Sequence, residues 1–198
     1  MKRTWLCLLA ATLAGSAASG YAHPGHTTAY GDLLAGFMHP FSGVDHLLAM
    51  FAVGVWAAQL GRRARWAVPL AFVAAMALGA VLAMTDAIHI DANAIESGIA
   101  ASLLVLGLLV FRAQRLPISA ALALVGTFAM LHGAAHGSEL PAFADPTRYA
   151  FGFLAATALL HALGLGFGAI ALHRAPLLGR LGGAAAAVAG AVLLTGTV

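Results

Sequence analysis

Charged and strongly polar residues fall at short intervals along the chain and leave six apolar stretches between them, at 43–60, 66–85, 94–111, 117–136, 149–172 and 178–197. Each is near the ~20 residues that a helix needs to cross the hydrocarbon core of a bilayer. The pattern predicts six membrane-crossing helices and an all-α, polytopic fold. Five residues separate the third stretch from the fourth, so these two should be antiparallel neighbours. Small residues recur inside the helices: Gly164, Gly166 and Gly168 in the fifth, and Gly182, Gly183 and Gly190 in the last. In lipid, such positions let helices approach closely. No soluble domain and no internal repeat stands out.

The apolar run at 5–13 is of another kind. It follows Lys2 and Arg3 and precedes Gly20-Tyr21-Ala22, which puts small residues at the two positions a signal peptidase reads. This predicts a signal peptide over 1–22 and a mature chain starting at His23; the competing reading is an uncleaved anchor helix. Residues 23–42 then form a periplasmic segment and a re-entrant approach, and 43–198 form a six-helix membrane transport domain.

Composition agrees with lipid. Of 198 residues, 62% are hydrophobic and 9% charged, with mean hydropathy +0.93; a soluble domain carries about 25% charged residues. Cleavage after Ala22 removes the only lysine and Arg3, and the net charge falls from +3 to +1. The sequence pI of 9.6 therefore gives no reason to expect a nucleic-acid partner. Cleavage also removes Cys7, the one cysteine, which rules out a disulfide, a thiolate metal ligand or a cysteine nucleophile in the mature chain.

Charge also orients the helices. Arg62, Arg63, Arg65, Arg112, Arg115, Arg174 and Arg180 fall in alternate connections, whereas the others carry Asp86, Asp91, Glu139 and Asp145, with Arg148 the exception. The positive-inside rule makes the arginine side cytoplasmic. A cleaved signal independently places His23 outside, so both mature termini are expected in the periplasm of a bacterial inner-membrane protein.

Against this background the nine histidines are out of place, because ionisable groups at membrane depth are costly and commonly mark a pathway or a site. One group is His39-Pro40-Phe41-Ser42-Gly43-Val44-Asp45-His46. In a single straight helix, His39 and His46 would lie about 10 Å apart along the axis. Pro40 and Gly43 allow a bend that shortens the gap. The alternative is an interfacial turn capped by Ser42 or Asp45. The second group holds His132, His136 and Glu139. His132 and His136 share a helix face one turn apart, a spacing that lets two imidazoles chelate one metal; the alternative is helix-end histidines facing headgroups.

Both groups lie toward the outer side, with Glu96 at similar depth and His161 deeper. His161 is read either as a pathway residue or as a histidine bonded to a neighbouring backbone. His23 and His26 offer a periplasmic capture arm or an inert tail. His89 and His173 are read as solvated or at the headgroups.

Imidazole with carboxylate suits nickel, cobalt, zinc or copper(II). Lack of thiolate argues against copper(I), although Met38, Met50 and Met130 keep it open. Asp45 and Glu139 together would neutralise a divalent cation in a low-dielectric interior.

The matches HPFSGVDH at 39–46, FAMLHGAAHGSE at 128–139 and GFLAATALLHALGLG at 152–166 make the chain resemble the HupE/UreJ family of nickel and cobalt permeases over essentially its mature length. Leu131 departs from the aromatic that the family often has before the second HG. The resemblance implies secondary uptake of nickel or cobalt as transported substrate, serving hydrogenase or urease maturation, with no permanently bound cofactor and no enzymatic activity. It carries metal handling to His39, Asp45, His46, His132, His136 and Glu139. The divalent ion and the bilayer are the expected partners, and a homo-oligomer stays open. The rival classes are an intramembrane zinc-dependent hydrolase, with three ligands and an open position for water, and a b-type cytochrome, for which HxxxH on one helix face is poor geometry.

Overall fold

Gly43 separates the first two helices and sets the shape of the site. In the computed structural model, which describes residues 29–196, α1 (Ala29–Ser42) and α2 (Val44–Leu60) meet there at 85°. Pro40 lies inside α1 and offers no N–H to the helix ladder. Two residues on, the Ser42 hydroxyl donates to the His39 carbonyl at 2.6 Å and caps the frayed end. Gly43 follows in extended conformation and α2 begins. The bent approach is therefore two helices meeting at one residue. Residues 1–22, expected to be a signal peptide, and His23 and His26 lie outside the described residues.

The chain continues through α3 (Ala64–Met84), α4 (Ala92–Phe111), α5 (Ile118–Ser138), α6 (Pro146–Arg174) and α7 (Pro176–Leu194). These five are each long and apolar enough to cross a membrane, and the α1–α2 pair adds a sixth if it counts as one broken span. The seven described helices include no strand between them. Leu70, Leu78, Val81, Phe151, Leu163, Ile170 and Val188 are each more than half exposed. That belt of bare apolar side chains suits a lipid-facing surface, and the protein is a multi-pass membrane protein.

Helix termini follow local chemistry. Gly61, at φ 109°, ends α2 in the left-handed region, where a residue without Cβ is unstrained. Asp91 accepts from the N–H groups of Asn93 and Ala94 and caps α4. Asp145 accepts from the Arg148 N–H and caps α6 ahead of Pro146. The Asp145 N–H in turn donates to Asp32, a buried carboxylate on α1, at 3.1 Å. This ties α1 to the start of α6.

Packing is dominated by pairs of helices whose backbones touch at glycine. Gly79 and Gly133 join α3 to α5 at the Met130 and Met76 carbonyls, and Gly36 and Gly152 join α1 to α6 at the Tyr149 and Leu33 carbonyls. Gly54 and Gly164 join α2 to α6 at the His161 and Phe51 carbonyls, while Gly107, Gly183 and Gly190 join α4 to α7. At each of these positions an added Cβ would collide with backbone, so only glycine permits the approach. Gly164 and Gly168 thus pack as expected from the sequence, whereas Gly166 and Gly182 face open space. α4 and α5 do touch, but α5 lies mainly against α3, and α4 mainly against α7.

At the arginine-bearing end, the Trp56 indole N–H donates to the Gln114 carbonyl at 2.9 Å, and the Gln59 amide donates to the Val110 carbonyl at 3.1 Å. These bonds fasten α2 to the last turn of α4 and to the α4–α5 connection.

Candidate metal centre

At the 85° bend, the last turn of α1 and the first turn of α2 meet the C-terminal end of α5. His39 approaches from α1, Asp45 and His46 from α2, and His132, His136 and Glu139 from α5. The two sequence groups meet. His39 and His136 have ring centroids 4.9 Å apart, His46 and His136 5.0 Å, and His46 and His132 5.2 Å. The rings form a continuous ladder in the order His39, His136, His46, His132.

Hydrogen bonds fix which nitrogens carry protons. His132 Nδ1 lies 2.9 Å from the Phe128 carbonyl, which can only accept, so Nδ1 is the protonated nitrogen and Nε2 keeps a bare lone pair. His46 Nδ1 lies 3.0 Å from Asp45 Oδ1, which also accepts from the His46 backbone N–H at 2.8 Å. That carboxylate orients the ring and leaves Nε2 bare, the carboxylate–histidine arrangement found behind metal ligands. The Nε2 atoms of His46 and His132 are buried without a hydrogen-bond partner, as are both nitrogens of His136 and both of His161. Buried polar atoms are nearly always paired, and imidazole lone pairs without a protein partner can accept a cation.

The ladder offers two stations. The outer one consists of His39, His136 and Glu139, whose ligand atoms lie within 4.8 Å of one another. Here His39 Nε2 donates to Glu139 Oε2 at 2.7 Å, and this bond holds the Glu139 carboxyl below the usual carboxylate range despite partial burial, which opposes the shift. A metal ion bound there would displace that proton. The inner station consists of His46 and His132, backed by Asp45 and reached by His136. The HxxxH spacing lets His132 and His136 share one ion along a helix face, and both rings also meet imidazoles of other helices: His132 meets His46 of α2, and His136 meets His39 of α1 and His46 of α2.

A cavity of about 710 Å³ reaches His39 and Glu139 of the outer station and Asp45 and His46 of the inner one, with Glu96 and Ser138 also on its wall, while His132 and His136 lie buried behind it. Glu96 is exposed on its wall, so it belongs to the vestibule and not to the buried ladder. His161 lies deeper and is 2% exposed. The Phe72 ring packs edge-on against both His132, at 5.5 Å, and His161, at 5.0 Å. His89 and His173 are exposed, away from the ladder. Of the outer acids, Asp91 and Asp145 serve as helix caps.

Sequence reasoning missed the aromatic frame. Phe153 stacks on His136 at 4.9 Å, and Tyr149 meets His39 edge-on at 5.8 Å. Phe153, Thr157 and His161 recur every four residues on α6, a spacing that places them on one face; starting from His161, that period could have found them.

The family model described as HupE / UreJ protein matches residues 9–193. Protein HupE of Rhizobium leguminosarum bv. viciae is 46% identical over 187 residues, covering 93% of this chain and 96% of that protein. No solved structure matches.

Proposed function

The chain belongs to the HupE/UreJ family, and from that membership together with the imidazole ladder we infer that it is a secondary permease importing a divalent transition-metal ion across the bacterial inner membrane. Nickel is the first substrate and cobalt the second, supplied to metalloenzymes such as hydrogenase or urease. The observation that carries this reading is the ladder itself: four imidazoles from α1, α2 and α5, about 5 Å apart, three of which have a buried ring nitrogen with no protein partner.

The arginine-rich connections put the Trp56–Gln114 end in the cytoplasm and the vestibule in the periplasm. Asp45, Glu96 and Glu139 give the vestibule a negative field that concentrates cations. The vestibule has room for an ion with its water. At the outer station, His39, His136 and Glu139 replace part of that shell, and Glu139 offsets charge. The ion then passes to His46 and His132, whose lone pairs are already aimed and whose rings are held by Asp45 and the Phe128 carbonyl. Fixed ligands avoid the reorganisation that flexible ones would require. The inner route needs a helix movement, since His161 and its surroundings are closed.

Uptake by proteoliposomes across nickel, cobalt, zinc and copper(II), with and without a pH gradient, tests this. Saturable nickel or cobalt accumulation that falls steeply in D45A supports the reading; absence of flux for every metal sinks it. The same His39–His136–Glu139 triad also resembles a catalytic zinc site with its open side toward water. Zinc retained in stoichiometric amount through chelator washing, with no flux, would favour an intramembrane hydrolase.

A further inference from the structure

Below the imidazole ladder lies a group of side chains that the reading above does not use. Met50 stands one turn below His46 on α2, and Met76 one turn from Phe72 on α3. Thr157 stands one turn above His161 on α6. Met50, Met76 and Thr157 are 0% exposed and His161 2%. The Thr157 hydroxyl donates to the Met50 sulfur at 3.2 Å and lies 3.8 Å from the Met76 sulfur.

That arrangement departs from how threonine behaves elsewhere in this bundle. The hydroxyls of Thr85, Thr127 and Thr195 bond carbonyls of the preceding turn of their own helices, the usual way a helical threonine satisfies itself. Thr157 forgoes a strong carbonyl acceptor for a weak thioether and points to the middle of the bundle. His161 departs likewise. His132 bonds its Nδ1–H to the carbonyl four residues back, whereas both ring nitrogens of His161 are buried with no partner. Two thioethers and one hydroxyl from three helices therefore meet in the buried centre, and the His161 imidazole stands one turn further along the same face of α6.

We propose that Met50, Met76, Thr157 and His161 form a second, softer metal station beneath the imidazole ladder, whose ligand is a dehydrated soft or borderline d-block cation. Thioether sulfur is a neutral, polarisable donor that favours copper(I)-like and, less strongly, nickel-like ions and gives nothing to hard cations such as manganese or magnesium. The station has no carboxylate, so a hard ion stripped of water there gains no compensating charge. On the permease reading, on which this proposal rests for its part in transport, the station discriminates: ions that shed water for imidazole and sulfur pass, and oxygen-seeking ions stop above it. Phe72, in contact with both His132 and His161, lies at the step between the stations.

The test uses the full-length protein in lipid nanodiscs, with silver(I) as a redox-inert probe for the soft site and nickel(II) for the ladder. Wild type should hold a silver ion whose K-edge X-ray absorption shows sulfur scatterers. In the M50L/M76L double variant, a nearly volume-conserving change, those scatterers should vanish and silver affinity should fall about tenfold or more, while equilibrium nickel binding at the ladder stays unchanged. In proteoliposomes the double variant should lose preference for nickel over manganese. Silver bound by nitrogen and oxygen alone in wild type would overturn the proposal, as would a double variant with wild-type sulfur scattering and wild-type selectivity. If the double variant fails to assemble, the wild-type spectrum and the milder T157V variant, expected to alter silver affinity with nickel binding intact, still decide. Sulfur-bound silver without nickel flux from wild type would refute the permease reading and leave the soft site standing.

Discussion

α4 lies on α7 through the same device that joins the other helices, yet the two interiors differ. Between α4 and α7, Gly107, Gly183 and Gly190 press backbone on backbone, and the residues around them are Leu103, Leu106, Ala186 and Ala187, all buried and apolar. Where α1, α2, α3, α5 and α6 meet, Gly36, Gly54, Gly133 and Gly164 make equally close approaches, but the space they frame holds His39, His46, His132, His136 and His161. No histidine stands on α4 or α7. Close packing alone therefore does not make a site. Filled with alkyl groups it fastens two helices; filled with imidazoles that keep buried, unpartnered nitrogens, it has the makings of the cation cage proposed above. The glycine contacts serve the cage by fixing helix positions to the tolerance that ligation demands.

Substitutions can break this contrast, and the largest effect should come from the cage itself. H132A removes a ligand and D45A frees the His46 ring. Loss of a supporting carboxylate alone commonly costs 10–100-fold in metal affinity, so saturable nickel uptake should fall by roughly 100-fold or more in H132A and by about 10–100-fold or more in D45A. Protein quantified in the membrane should stay near wild type. Uptake close to wild type in either variant would separate the cage from transport.

Next in size is a paired comparison of glycines. G133A drives a Cβ into the Met76 carbonyl, and G183A drives one against the α4 backbone. Each should cost about 1–3 kcal/mol, read as a lower melting temperature in detergent. Only G133A shifts the helix that carries His132 and His136, so only it should also weaken nickel binding, by about tenfold. Equal loss of affinity in G183A would mean that the two interiors are one mechanical unit.

A smaller effect is expected from D32A, which removes the acceptor of the Asp145 N–H and loosens α1. It should cost about 1 kcal/mol and weaken nickel binding a few-fold through His39, with no change in binding if His39 is immaterial. The smallest effect is on pH dependence. The His39 bond holds the Glu139 carboxyl below its ordinary range. A carboxylate depressed in the folded state stabilises at pH above its unfolded-state value of about 4 and loses that contribution as pH falls through the folded value. Metal-free wild type should therefore exceed E139Q in melting temperature by a small margin at neutral pH, and the margin should close on acidification below that range. Glu139 is 54% exposed, so solvent screening keeps the margin modest.

Much of this was legible in the residues. Apolar run lengths pointed to α2–α7, because bilayer thickness fixes span length independently of tertiary packing; α1, at 14 residues, is too short to stand out that way and reads only as a periplasmic approach. Pro40 and Gly43 announced the bend, because each limits what backbone can do. Asp91 and Asp145 are readable as caps once the helix starts are known, the latter from the Asp-Pro pair that opens α6. What the sequence could not show is which histidine meets which. His132 and His136 share a face, but the helix crossing sends one toward His46 and places the other between His39 and His46. Met76 and Thr157 were opaque for a related reason: inside an apolar run a methionine reads as filler and a threonine as self-bonded. Only side-chain direction shows the hydroxyl turned to sulfur.

The central claim is that imidazoles and a carboxylate from separate helices share one divalent ion, and nickel K-edge X-ray absorption of the purified, nickel-loaded protein tests it most directly. The account predicts a first shell with more than one imidazole and a carboxylate oxygen, losing imidazole scattering in both H39A and H136A, which lie on different helices. A shell of water and oxygen alone, or a spectrum unchanged in both variants, would contradict it.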